Sequence, residues 1–399
     1  MKQKTLPFVL AFLISGITAL AQDTEFETKG LKGSISWASK DKQFKYSVGG
    51  RVYFDAAAYF DDKTDLGSGS ELRDVRLLFK ATVWEKWDAK INLGFAGGKV
   101  AAKDIFVAYN INKNSHIRTG YFFEPFGLER TESSKSIKFL ELAGTTEAFA
   151  PGRNLGFEYA TWGKNTYWGV GLFGDSDLNN EKGGDEGFGL TSRFVYAPVN
   201  ETGKIFHIGA AATYREADAA GFGDDGKELD KTIRYRNRAA THVEGRRFID
   251  AKVGMAESQF KYGAELLAAT GSVSLQGEYI GANVSRKSGL EDYNAKGWYA
   301  QVGWLMKGGD YKYKMKSARL AKPGPGALEF ILRYNQTDLN DTDAAILGGE
   351  QKDISLGCIY YINHNMLVKF NYANVDLDKN AFNGEENFNL LQARFQIAF

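Results

Sequence analysis

From Arg51 onward the chain alternates between apolar and polar residues. Val52, Phe54, Ala56, Ala58 and Phe60 share one face of an extended segment, and Arg51, Tyr53, Asp55 and Tyr59 share the other, which is the two-residue period of a strand. One face suits hydrocarbon and the other water. The period returns over 72–84, where Arg76, Lys80 and Thr82 stand opposite Val75, Leu77, Phe79 and Val83. It recurs over 89–95, 105–111, 117–123, 157–160, 168–173, 188–196, 205–214, 260–268, 273–280, 298–306 and 328–334, and in three final strands. The last of these sets Leu391, Ala393, Phe395, Ile397 and Phe399 against Gln392, Arg394 and Gln396. The runs 232–238 and 248–254 also alternate but are hard to resolve as strands. With them the count nears eighteen.

The connections between these strands alternate in length. Those at 85–87, 112–115, 163–165, 198–203 and 363–365 are short, whereas 61–70, 124–152, 175–187, 216–230, 283–295 and 336–351 are long and polar. Short turns at one end and long loops at the other suit a transmembrane β-barrel of the outer-membrane type. Closure of the sheet follows from the solvent, because an open edge in lipid would leave N–H and C=O groups without partners. The prolines after the leader, Pro125, Pro151, Pro198, Pro323 and Pro325, all fall in connections, where a missing N–H breaks no ladder. Two connections depart from the pattern. Residues 307–326 should form a short turn by strict alternation, and 124–152 is a long, charge-rich loop that carries Phe126, Leu128, Ile137, Phe139, Leu140, Leu142 and Phe149. That much apolar surface argues for a folded segment. The expectation is that it turns into the barrel and narrows the lumen.

Export is indicated at the start of the chain. Lys2 and Lys4 precede an apolar run from Leu6 to Ile14 and a small-residue site, Ala19-Leu-Ala21, before Gln22, the layout of a secretory signal peptide. The expected organisation is therefore a signal peptide over 1–21, a lead-in over 22–44 and a barrel over 45–399. Loss of the leader removes two lysines and leaves 48 basic against 49 acidic residues, a balance that excludes a globally basic nucleic-acid binder. A lone Cys358 permits no internal disulfide. Catalysis and metal binding find little support: His116, His207, His242 and His364 have no partner at metal spacing, and neither a nucleophile elbow nor a phosphate loop occurs. The segment from Asp376 to Asn380 begins like a calcium loop, then places Ala381 and Asn387 where Gly and Glu are needed. No cofactor is implied.

Several stretches resemble the phosphate-selective porin family, the O/P-type outer-membrane porins. They include Gly50-Arg-Val-Tyr-Phe-Asp55, Gly120-Tyr-Phe-Phe-Glu-Pro-Phe-Gly-Leu-Glu129, Pro151-Gly-Arg-Asn-Leu-Gly156, Ile233-Arg-Tyr-Arg-Asn-Arg238 and Gly326-Ala-Leu-Glu-Phe-Ile-Leu-Arg-Tyr334. The resemblance implies an all-β, sixteen-stranded, usually trimeric porin whose third loop enters the channel and whose lumen carries a ladder of cations. It also implies a long inward-folding periplasmic turn, which would account for 307–326. One departure bears on selectivity: Tyr121 and Glu124 stand where the family pattern has Gln and a basic or neutral residue. Glu124 is expected to repel phosphate.

The candidate anion path consists of Arg51, Arg76, Lys80 and Arg118 on the wall and Arg130, Lys135, Lys138 and Arg153 in or beside the third loop. Arg offers a planar fork for oxyanions and Lys a mobile point charge, so weak sites in series can pass an anion along. The opposing possibility is mutual pairing of lumen charges, with Arg51 and Asp55 as an example. On this reading the protein passes small anions, phosphate or polyphosphate among the candidates, by diffusion across the outer membrane, as a homotrimer surrounded by lipid. The alternatives are a non-selective porin and a structural or adhesive barrel; a barrel lipase is disfavoured for want of a nucleophile.

Overall fold

The computed structural model describes residues 26–29, 34–176, 178, 181 and 183–399. The expected signal peptide lies outside them. Sixteen antiparallel strands form the barrel: Phe44–Phe60, Gly69–Val83, Trp87–Gly94, Ala101–Asn112, Ser115–Phe123, Arg153–Trp162, Thr166–Phe173, Gly189–Glu201, Lys204–Glu216, Ala256–Thr270, Val273–Arg286, Tyr293–Lys307, Leu328–Asp341, Ile346–Tyr360, Met366–Leu377 and Glu386–Ala398. Each pairs with the next, and the last closes on the first with Ala393 opposite Ala56 and Ala398 opposite Arg51. At the seam, Phe399 and Gly50 exchange N–H···O bonds of 2.8 and 2.9 Å. A Cβ on Gly50 would lie 2.7 Å from the Arg76 carbonyl oxygen, so the close approach there requires glycine.

The alternation read from the sequence maps onto the two faces of the wall. Arg51, Tyr53, Asp55 and Tyr59 are buried toward the lumen, whereas Phe54 and Phe60 are exposed outside. Leu77, Phe157, Leu172, Phe194, Leu332 and Phe370 continue the exposed apolar surface around the barrel, which is the surface lipid tails require. Part of the lead-in extends the same sheet. Ile35–Ser39 pairs with the beginning of the first barrel strand, and Phe26–Lys29 pairs with Ile35–Ser39.

Two expectations about the strands need correction. Residues 232–238 and 248–254 do not enter the wall: Thr232–Asn237 and Ile249–Gly254 form a separate hairpin inside a long loop. Its apolar face, with Ile233, Tyr235, Ile249, Ala251 and Val253, is buried with Phe149 and Leu339 in the larger core cluster. Sixteen strands remain in the barrel, the number that the family resemblance implies. The expected long loop 336–351 shrinks to four residues between Asp341 and Ile346, because the polar residues there sit on strand ends that continue past the apolar band and keep their ladder bonds, as Thr337↔Gln351 and Asp338↔Glu350 show.

Candidate functional site: the narrowed lumen

The segment 124–152 folds into the barrel and packs on one side of it. Phe126, Leu128, Phe139, Leu140 and Phe149 are buried there, each contributing about 1.5–3 kcal/mol relative to an exposed side chain. Its polar backbone is then satisfied by lumen-facing side chains of the wall. The N–H groups of Leu128 and Glu129 donate to the Glu278 carboxylate at 2.6 and 2.9 Å. Leu140 N–H donates to Asn371 Oδ1 at 3.1 Å and Thr145 N–H to Asn335 Oδ1 at 3.0 Å. Lys369 Nζ donates to the carbonyls of Ile137 and Phe139. A short helix, Gly144–Phe149, follows Ala143, whose N–H donates to Glu129 Oε2 at 3.0 Å.

Opposite this covered wall a cavity of about 620 Å³ remains, lined by thirteen Lys and Arg side chains against six Asp and Glu. Most of the wall cations are held in ion pairs. Arg51 and Arg76 share Asp74 at 2.9 and 2.7 Å, Lys90 and Arg153 share Asp104 at 2.5 and 2.7 Å, and Arg118 meets Glu158 at 2.8 Å. Two guanidinium groups also lie over aromatic rings: Arg118 is 3.9 Å from the Phe122 centroid and Arg153 is 3.8 Å from that of Phe123. Stacking of this kind fixes the fork while leaving its charge in place.

Five cavity-lining cations have no carboxylate within ion-pair distance among the described residues: Lys80, Arg130, Lys135, Lys316 and Arg319. Arg130 donates to the carbonyl of Thr146 at 2.8 Å. The corresponding anion is Glu132, whose carboxyl is pushed up to about 7 by burial, with Glu129 adding to the shift. Burial and the nearby Arg51 and Lys80 bring Lys135 down to about 8.

Seven of the eight candidate cations line the cavity, namely Arg51, Arg76, Lys80, Arg118, Arg130, Lys135 and Arg153. Lys138 does not. Its ammonium is buried behind the loop, 2.6 Å from Glu329. Glu124 also differs from expectation: its carboxylate is fully buried and takes hydrogen bonds from Asn154, Thr191 and Arg215, the last at 2.6 Å. With that charge balanced in the wall, it presents little repulsion to a passing anion. Nor do Arg51 and Asp55 pair with each other, because Asp55 is taken by Arg394 at 2.6 Å. Lys316 and Arg319 escaped the sequence reading, since they lie in a connection whose fold alternation does not predict. The inward-turn expectation for 307–326 was the signal that could have pointed to them. His207 lies three residues into the strand Lys204–Glu216 and is buried in the wall, bonded to Glu265 and Tyr313 at 2.8 Å each.

The family profile described as Phosphate-selective porin O and P matches residues 46–399. Over their full lengths the chain is 24% identical to Porin O of Pseudomonas aeruginosa. Among solved structures, an anion-selective porin from Comamonas acidovorans superposes with a TM-score of 0.56 at 13% identity, covering 89% of this chain and 100% of that one. The trimer form of OmpT, an outer membrane protein of Vibrio cholerae, gives 0.56 at 10% identity, covering 89% and 99%. The barrel, its inward-folded third loop and the match over nearly the whole alternating region agree: this chain is an outer-membrane protein of the phosphate-selective porin O and P family.

Proposed function

We propose that this protein is a passive porin that prefers small anions, phosphate-like oxyanions among them. The observation that carries the reading is the excess of thirteen cations over six anions around the narrowed lumen. A few charges in a cleft with low-dielectric walls focus the field on a permeating ion. At an effective dielectric near 20, one unit charge about 4 Å away contributes on the order of 4 kcal/mol before screening. Paired cations such as Arg118 and Arg153 supply oriented donors, and the unpaired Lys80 and Lys135 supply net potential. An oxyanion can exchange one weak site for the next without being trapped. The relatives support this reading, since one is described as an anion-selective porin and the family as phosphate-selective.

Assembly as a homotrimer in outer-membrane lipid belongs to the same reading, supported by the trimer form of the structural neighbour and by the apolar outer surface. The functional test is block of chloride current in a planar bilayer. Added phosphate should lower the chloride conductance at concentrations that leave a cation-selective control pore unaffected. Full chloride conductance at saturating phosphate would remove the oxyanion preference.

A further inference from the structure

The wall closes between its first and last strands, Phe44–Phe60 and Glu386–Ala398, and outward positions at this seam are small: Ala56 stands opposite Ala393, and Ala58 opposite Leu391. Phe54, Phe60 and Leu72 beside them are large and exposed. The alanines therefore leave a recess in the outer surface. A groove of about 770 Å³ runs from it across three neighbouring strands to Trp304, with Phe370, Tyr372 and Leu391 standing along it. No Asp, Glu, Lys or Arg lines it among the described residues. The groove is continuous with the apolar surface that meets lipid tails, but it touches a chain from several sides, and dispersion grows with the number of contacts.

One end of the groove opens onto a polar strip. Along the last two strands the outward pairs are Phe370 and Ala393, Tyr372 and Leu391, Asn374 and Asn389, then Asp376 and Asn387. The face turns from apolar to amide within two residues. This happens at the end that leads into the connections 61–68 and 378–385, the long-loop and therefore extracellular side. Tyr372 joins the two parts, since it lines the groove and its hydroxyl donates to Asn389 Oδ1 at 2.6 Å. Asn374 Nδ2 donates to Asn387 and Asn389 at 3.0 Å each, and Asn389 Nδ2 to Asp61 at 2.8 Å. Amides and carboxylates present donors and acceptors together, as sugar hydroxyls require. A phosphate headgroup calls for a cation, and Lys352, opposite Asp376, is already paired with Glu350 at 3.0 Å.

We propose that the groove binds an outer-leaflet glycolipid, with one acyl chain over Ala56, Ala58 and Ala393 and the sugar on Asn374, Asn389 and Asp61. The strip favours this occupant over a second copy of the chain, which would bury those amides and carboxylates against an apolar wall.

Native mass spectrometry of the folded barrel in octyl tetraethylene glycol micelles counts the lipid retained from added monogalactosyl diacylglycerol or from phosphatidylglycerol with the same acyl chains. The variants are Ala393→Phe, which fills the recess, and the double change Asn374→Ala with Asn389→Ala. Leu172→Phe is the control, because Leu172 is exposed on the outer wall away from the groove. All of these face away from the lumen, so wild-type single-channel conductance verifies that each barrel is folded. The wild type should retain one galactolipid in preference to phosphatidylglycerol. Ala393→Phe should lower galactolipid retention about fivefold and the amide double variant about threefold, with phosphatidylglycerol retention unchanged in the latter. Leu172→Phe should match the wild type. Equal retention of the two lipids by the wild type overturns the proposal, as does undiminished galactolipid retention in Ala393→Phe. A wild type that retains no lipid, and whose oligomer Ala393→Phe dissociates, would assign the groove to contact between copies and overturn it as well.

Discussion

The two halves of the lumen are built on the same alternation yet do different work. From Phe44–Phe60 to Arg153–Trp162, inward positions carry Arg51, Arg76, Lys90, Arg118 and Arg153, which line the open cavity. From Val273–Arg286 to Met366–Leu377 the inward positions carry Glu278, Glu329, Asn335 and Asn371, which face protein. On the first side, cations outnumber the carboxylates that hold them. On the second, carboxylates and amides receive or supply the hydrogen bonds of a folded loop that could not be buried with its backbone unsatisfied. A porin wall is thus polar for two separate reasons, one to meet the solute and one to seat the constriction.

The largest expected effect comes from unseating the loop. Glu278→Ala leaves the N–H groups of Leu128 and Glu129 without their acceptor, at about 1–3 kcal/mol for each buried group. Single-channel conductance should rise and the loop should become open to protease. Conductance and cleavage equal to wild type would show that Glu278 does not anchor it.

A smaller change, opposite in kind, follows on the open wall. Asp104→Asn removes the carboxylate shared by Lys90 and Arg153, so the net charge near the constriction becomes more positive. The anion-to-cation permeability ratio should increase severalfold with little change in conductance. An unchanged ratio would place these cations outside the ion path.

Acidity should tune the same quantity more gently. Glu132 gains its negative charge as pH rises through about 7, and Lys135 loses its positive charge as pH rises through about 8. Both changes reduce net positive charge, so the zero-current potential should move toward cation preference between about pH 6 and 9. Glu132→Gln should abolish the lower part of that change. The smallest effect is expected from Glu124→Gln, because its carboxylate is buried against Arg215 and Thr191. A shift there as large as that of Lys135→Gln would mean that Glu124 faces the solute.

Much of this contrast can be read in the sequence, but only in part. Alternation around Arg51 and again at Leu391–Phe399 identifies which side chains face inward, because one misplaced residue would turn the whole set toward lipid. The apolar content between Phe126 and Phe149 likewise signals a folded loop. Alternation does not say what covers an apolar face, which is why the hairpin Thr232–Asn237 and Ile249–Gly254 reads like two wall strands although its apolar face lies in the lumen core. Ion pairs are equally hidden. Arg394 and Asp55 are separated by 339 positions, and Glu124 and Arg215 by 91. The charges that remain unpaired, Lys316 and Arg319 among them, emerge only once those distant partners are placed.

The central claim is that the cation excess around the narrowed lumen governs permeation. The most direct measurement is the zero-current potential of the wild-type protein and of Lys135→Glu in a tenfold potassium chloride gradient. The account predicts an anion-selective wild type and a potential displaced toward cations in Lys135→Glu. A cation-selective wild type, or identical potentials for the two proteins, would contradict it.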